Sequence, residues 1–154
     1  MIKAVIVHGW EGVPHGGWMG WLSQQLEQRN WQVLTPRMPH PMLPKRQEWI
    51  EKLNAILPDI NKETYFVGHS LGCYAILKYL EGIPSDVKVG GVILVAGFDI
   101  NGLTHPVPIL NDFLSDEINW QKVKNRSSHF IAVASEKDEY VKIDNVNLFK
   151  EKLG

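Results

Sequence analysis

Cysteine is almost missing from this chain: Cys73 is the only one, which excludes an internal disulfide framework and is compatible with a reducing cytosol. Long apolar runs are missing too. The opening "IKAVIV" (Ile2–Val7) is too short for a membrane span and is followed by no signal-peptide cleavage pattern, so it reads as a core strand. Neither sign of charge is in excess. A net charge of −1 gives no electrostatic reason to expect nucleic acid or an anionic membrane. There are no repeats, low-complexity tracts or charge blocks, and with no address in the sequence the default location is cytoplasmic. The six histidines and one cysteine match no zinc spacing, so no metal and no cofactor are expected.

What is present is the composition of an ordinary soluble globular protein, 44% hydrophobic and 21% charged, over 154 residues. That length makes one domain, 1–154, able to bury roughly two thirds of its unfolded surface. Five short runs rich in β-branched residues stand out: Ile2–Val7, Trp31–Pro36, Thr64–Val67, Gly91–Ala96 and His129–Ala134. Most are apolar on both faces, as strands covered on both sides are. Helix-period segments lie between them. Gly17–Arg29 repeats Trp18, Trp21, Leu22 and Leu26 at three and four, and Arg46–Leu57 does so with Trp49, Ile50, Leu53, Ile56 and Leu57. Leu71–Leu80 is apolar nearly all round and predicts a buried helix. Trp18, Trp21 and Trp49 are all expected on core faces.

Strands alternating with helices predict an α/β fold, a three-layer α/β/α sandwich around a parallel, doubly wound sheet. Two long irregular segments, Arg37–Lys45 and Gly97–Ser128, each follow a strand and so belong at the carboxyl edge of the sheet, where open α/β folds bind ligands. The second is expected to form a short lid, about 98–128, whose apolar Val107–Leu110 and Trp120 would shape a shallow apolar pocket.

Within "YFVGHSLG" (Tyr65–Gly72) the pattern G-x-S-x-G reads as a nucleophile elbow, a strand turning sharply into a helix with Ser70 at the apex. The glycines at either side are needed because side chains there would meet neighbouring backbone. Ser70 would then stand at a helix N-terminus, where the Leu71 N–H and the helix dipole can stabilise an oxyanion. "VIVHGW" (Val5–Trp10) closes the first strand, and its Trp10 N–H is the candidate second donor.

These residues resemble the α/β-hydrolase superfamily, and within it the small serine hydrolases of the YdeN and retinoblastoma-binding-protein-nine type. The resemblance runs the length of the chain through "VHGW", "PRMPHP…W" (Pro36–Trp49), "GHSLG", "LVAGFD" (Leu94–Asp99) and Phe113–Val141. It implies Ser70 as nucleophile and an acid in the "SEKDEYV" loop, with Asp138 favoured over Glu136 and Glu139 and Asp99 as the fallback. It also implies a small-molecule ester as substrate, with His8, Gly9, His69 and Val107 beside it.

The superfamily order is Ser, acid, His, yet no histidine follows Asp138. Asn145–Gly154 reads as a short amphipathic helix carrying Val146, Phe149 and Leu153. In the family a further strand and a Gly-His come next, so the general base and an edge strand are expected beyond Gly154. His8, His15, His40 and His105 fall at the carboxyl edge as ordinary turn or loop residues. His69 is expected to turn its ring away from Ser70, and His129 to begin a strand remote from the site. Two readings follow. One is a serine hydrolase of small acyl esters. The other is a non-catalytic scaffold of the same fold that binds a ligand or partner, in which the free edge of the strand 129–134 could pair with another chain, including a homodimer mate.

Overall fold

The computed structural model describes all 154 residues, Met1–Gly154. Its elements run β1 (Lys3–Val7), α1 (Trp18–Glu27), β2 (Gln32–Leu34), α2 (Arg46–Ile56), β3 (Thr64–His69), α3 (Leu71–Gly82), β4 (Gly91–Val95), a 3₁₀ turn (Pro108–Leu110), α4 (Trp120–Lys124), β5 (Phe130–Val133) and α5 (Asn145–Leu153). All strand pairs are parallel, in the order β2-β1-β3-β4-β5. The chain therefore winds one way from β1 to β2, then returns across β1 to build β3, β4 and β5. No helix is long and apolar enough to cross a membrane.

Alternation along the strands divides the sheet into two faces. Val5, Val7, Phe66, Val92 and Leu94 point to the larger core, shared with α2, α3, α4 and α5, while Ile6 and Val67 point to a smaller one against Met19 of α1. This is the three-layer sandwich, with one helix on the second face. Away from the cover of α1, Ile131 and Val133 on β5 remain 56% and 48% exposed. β5 is an edge strand.

The helices match the expected segments except in which side chains they bury. Trp49 is fully buried, edge-on to Phe113 at 5.0 Å. Trp18 and Trp21 are not core residues: they are 36% and 63% exposed, and the buried stripe of α1 is Met19 and Ser23. The helix is rotated so that Met19, Leu22, Ser23 and Leu26 face the sheet, which needs only one narrow stripe of α1. The segment 98–128 is better ordered than its composition suggests. It contains the 3₁₀ turn and α4, and it is anchored by buried Phe98, Leu110, Phe113, Ile118 and Val123. Arg46 at the start of α2 donates to the carbonyls of Asp112 and Phe113 and pins that segment from the side. Trp120 lies against Phe149 at 5.9 Å and so takes no part in an acyl pocket.

Candidate active site

The β3–α3 junction places Ser70 in a strained backbone conformation. Ser70 has φ 52° and ψ −119°, outside the ordinary regions for a residue with a side chain. A conformation of this kind costs on the order of 1–3 kcal/mol and persists only when its surroundings hold it. They do so here. The Ser70 N–H donates to the Val95 carbonyl at 2.9 Å, and its own carbonyl accepts from the Cys73 N–H at 2.9 Å. A Cβ on Gly68 would meet the Cys73 backbone at 2.8 Å, so the first glycine of the motif is fixed by the turn. Leu71 is the first residue of α3, where a helix amide has no intrahelical acceptor. Cys73 is wholly buried and its thiol is pushed up by that burial, leaving it no competing nucleophile.

The end of β1 lies directly against this elbow. A Cβ on Gly9 would come within 3.1 Å of the His69 carbonyl and of Ser70 Cβ. Trp10 follows. Its indole N–H donates to the Met42 carbonyl at 3.3 Å, and its backbone amide donates to no acceptor within the chain.

A cavity of about 270 Å³ opens in front of Ser70. Trp10, Glu11 and His69 border it on the elbow side, Phe98, Leu103, Val107 and Leu110 form the apolar wall, and Asp138, Tyr140 and Val141 close it from the loop after β5. Asp138 is half-buried while Glu136 and Glu139 are exposed. One Asp138 oxygen accepts the Tyr140 and Val141 N–H groups, at 2.8 and 2.9 Å, and the other carboxylate oxygen has no partner. Asp99 is outside the cavity, with Oδ1 turned back on the Asn101 N–H at 2.9 Å.

Two loops must stay in register for this cavity to exist. The Leu103–Val141 bridge, the Thr104 N–H on the Tyr140 carbonyl (2.8 Å) and the Lys142 N–H on the Gly102 carbonyl (2.9 Å) join them. Buried Asn145 adds Nδ2 bonds to the Gly102 and Lys142 carbonyls, at 2.9 and 2.7 Å. Nothing in the sequence marks Asn145 for this role: an asparagine opening a predicted surface helix carries no sign of a tertiary tie.

Of the residues expected beside the substrate, His69 and Val107 border the cavity, and His8 and Gly9 do not. His8 corrects the expectation clearly. Its Nε2 accepts the Met38 N–H at 3.0 Å, so Nδ1 holds the proton and donates to the Gly9 carbonyl at 2.8 Å. Only 1% exposed and edge-on to Trp49 at 5.6 Å, His8 is a buried tie between two loops. Burial lowers its pKa, the Gly9 bond opposes that, and the Arg37 charge adds to the lowering. The His69 ring meets Trp18 edge-on at 5.9 Å, which gives that exposed tryptophan its place. Burial lowers the His69 pKa as well, against the raising influence of Asp138, with His8 adding to the lowering.

No imidazole is bonded to Ser70. His15 pairs with Thr35, His40 with Glu48, His105 with Thr104 and His129 with Ser128, at 2.8, 2.9, 2.9 and 3.1 Å. Glu11 and Tyr140 also border the cavity, and no motif in the sequence points to either. The only available signal is their adjacency to Trp10 and Asp138.

Comparison with known proteins agrees with this fold. The family described as serine hydrolase matches residues 4–154. YdeN of Bacillus subtilis (strain 168), which carries a provisional hydrolase designation, is 33% identical over 142 residues, covering 92% of this chain and 74% of YdeN. The crystal structure of the ydeN gene product superposes with a TM-score of 0.91 at 29% identity, over 99% of this chain and 81% of that one. A carboxylesterase structure from Nitrososphaera gargenis matches with a TM-score of 0.71 at 15% identity, over 99% and 78%, a likeness of fold.

Proposed function

This chain belongs to the serine hydrolase family, and from that premise we propose that Ser70 is its nucleophile and small acyl esters its substrates. The observation that carries the reading is the strained apex at Ser70 on one cavity with Trp10, whose amide has no partner, and Asp138, whose second oxygen has none.

In this reaction Ser70 Oγ bonds to the ester carbonyl carbon and the carbonyl π pair moves onto oxygen. The Trp10 and Leu71 N–H groups receive that oxyanion. Collapse breaks the bond to the alcohol, leaving an acyl-serine that water then cleaves. The serine proton passes to a base and from it to the departing alkoxide. Asp138 is the acid that orients such a base, because its second oxygen is free to accept an N–H. The base itself is a role that the six histidines of these 154 residues leave unfilled. The apolar wall of Phe98, Leu103, Val107 and Leu110 and the small volume favour short acyl chains.

An alkyl fluorophosphonate tests the assignment on the full-length natural protein. Phosphonylation is expected at Ser70, with loss of fluoride, and is expected to vanish in Ser70→Ala. An unlabelled, folded protein would support the second reading, a binding scaffold of hydrolase fold.

A further inference from the structure

We propose that Asn145 is a positioning residue for Asp138. By bonding two loops at once it fixes the turn whose N–H groups hold the Asp138 carboxylate at the border of the Ser70 cavity. The proposal deepens the hydrolase reading above and rests on it for the role of Asp138. The tie from Asn145 to that turn stands on its own hydrogen bonds.

The turn after β5 has little packing to hold it. β5 is an edge strand, and between Ser135 and Asp144 only Val141 is buried, with Asp138 half-buried and the rest exposed. Its order comes from a chain of hydrogen bonds. One Asp138 oxygen accepts the Tyr140 and Val141 N–H groups, at 2.8 and 2.9 Å. The Tyr140 carbonyl accepts the Thr104 N–H at 2.8 Å, and the Lys142 N–H donates to the Gly102 carbonyl at 2.9 Å. Between those two bonds lies the Leu103–Val141 bridge, and both of its residues border the cavity beside Asp138. Thr104 Oγ1 adds a bond to the Glu139 carbonyl at 2.6 Å.

Asn145 closes that chain from the buried side. It is 3% exposed, and its Nδ2 donates to the Gly102 carbonyl at 2.9 Å and to the Lys142 carbonyl at 2.7 Å. A Cβ on Gly102 would run into the Asn145 amide, so the 102 loop lies directly against it. Both carbonyls already accept a backbone N–H, Gly102 from Lys142 and Lys142 from Asn145 itself at 3.2 Å. Neither is an orphan in need of a donor. A buried amide gains little net stability from such bonds, and an apolar side chain of the same size would fill the space equally. What an apolar residue cannot do is set the register of Gly102 against Lys142. Lys142 follows Val141, whose N–H is on Asp138, so a register fixed at Lys142 reaches the acid through one peptide link.

The test measures how fast an alkyl fluorophosphonate labels Ser70 in the full-length natural protein, with Asn145→Ala and Asp138→Ala made singly and together. Asn145→Ala is expected to slow labelling about ten- to hundred-fold, the range for a misplaced catalytic group. Added to Asp138→Ala it should change the rate by less than about two-fold, because the group through which it acts is gone. Thr104→Val loosens the exposed end of the ladder and leaves the core intact. It is expected to slow labelling about two- to five-fold, the worth of one hydrogen bond, with the same dependence on Asp138, and it decides the matter where Asn145→Ala does not fold. A merely structural Asn145 would lower the urea midpoint and slow labelling by the same factor with or without Asp138. That result, or an unchanged rate in folded Asn145→Ala or, failing that, in Thr104→Val, would overturn the proposal. Amide hydrogen exchange separates it from the hydrolase reading: the same variants are expected to speed exchange at Tyr140 and Val141 relative to α3. A parent that takes no label overturns Ser70 as nucleophile. Faster exchange at those two amides then still supports the tie to the Asp138 turn, and unchanged exchange overturns it.

Discussion

A Cβ built on Gly72 would lie 2.3 Å from the carbonyl oxygen of Val7, the last residue of β1, and 2.6 Å from that of His8. The first turn of α3 therefore rests on the end of β1 with no room for a side chain. This close approach brings Trp10 to the cavity that Ser70 faces. Because the obstacle is strand backbone on one side and the elbow on the other, neither can give way alone. Gly72→Ala is expected to lower stability by about 3 kcal/mol, an overpacking penalty, and to slow phosphonate labelling of Ser70. At Gly82, the last residue of α3, an added Cβ would have nothing within 4 Å, so Gly82→Ala should be neutral or gain about 0.5 kcal/mol. Urea denaturation of both variants checks the contrast.

Arg126 closes the other end of the same helix. It is 5% exposed, and its Nε and two terminal nitrogens donate to the carbonyls of Leu80, Ile83 and Ser85 at 3.1, 3.0 and 3.0 Å. Carbonyls at a helix C-terminus lack intrahelical donors and carry partial negative charge, so one guanidinium serves all three. Arg126→Ala leaves them without that partner and is expected to cost about 3 kcal/mol. Arg126→Lys, with a single ammonium in place of the planar fork, should recover only part of the loss. Thermal unfolding of the pair decides it; equal stability of the lysine variant would contradict the need for a fork.

The tryptophans give a sharper contrast. Trp49 is fully buried between His8 and Phe113, and Trp49→Ala is expected to cost about 3–5 kcal/mol. Trp21, 63% exposed, should tolerate alanine within about 0.5 kcal/mol. Both sit in helices with similar apolar periodicity, and equilibrium unfolding separates them.

That pair also shows where a sequence can be read and where it cannot. Period and composition located every strand and every longer helix, because a strand apolar on both faces has few alternatives to a covered parallel sheet. The glycines of "GHSLG" announced the strained turn because close backbone contact leaves a residue type behind. What period alone does not carry is helix rotation. The apolar residues of α1 span more of its surface than the sheet covers, so Trp18 and Trp21 compete with Met19 for the inside. Tertiary ties are equally silent. Arg126, Asn145 and the buried form of His8 each depend on partners thirty or more residues away. α4, five residues long, is held by packing of Val123 and by the Asn119 side chain on the Lys122 N–H rather than by periodicity.

His8 should make stability fall in mild acid. Its ring is neutral in the folded chain, with one nitrogen accepting from Met38 and the other donating to Gly9, and burial depresses its pKa below the ordinary 6.5. Above that value neither the folded nor the unfolded chain protonates the ring, and the full stabilisation is present. As the pH drops below it, the unfolded chain takes up a proton that folded His8 resists, so stability declines until the folded pKa is passed. Protonation there would also turn Nε2 from acceptor to donor against the Met38 N–H. His69 is shifted in the same direction and adds to the slope, so the two must be separated. His8→Gln keeps an acceptor for Met38 and removes the titration. Its urea midpoint is expected to be lower than that of the parent at neutral pH, yet to change less between neutral and mildly acidic buffer. His69→Gln should flatten the remaining part. An unaltered acid slope in His8→Gln would mean that the Met38 and Gly9 ties do not hold the ring neutral.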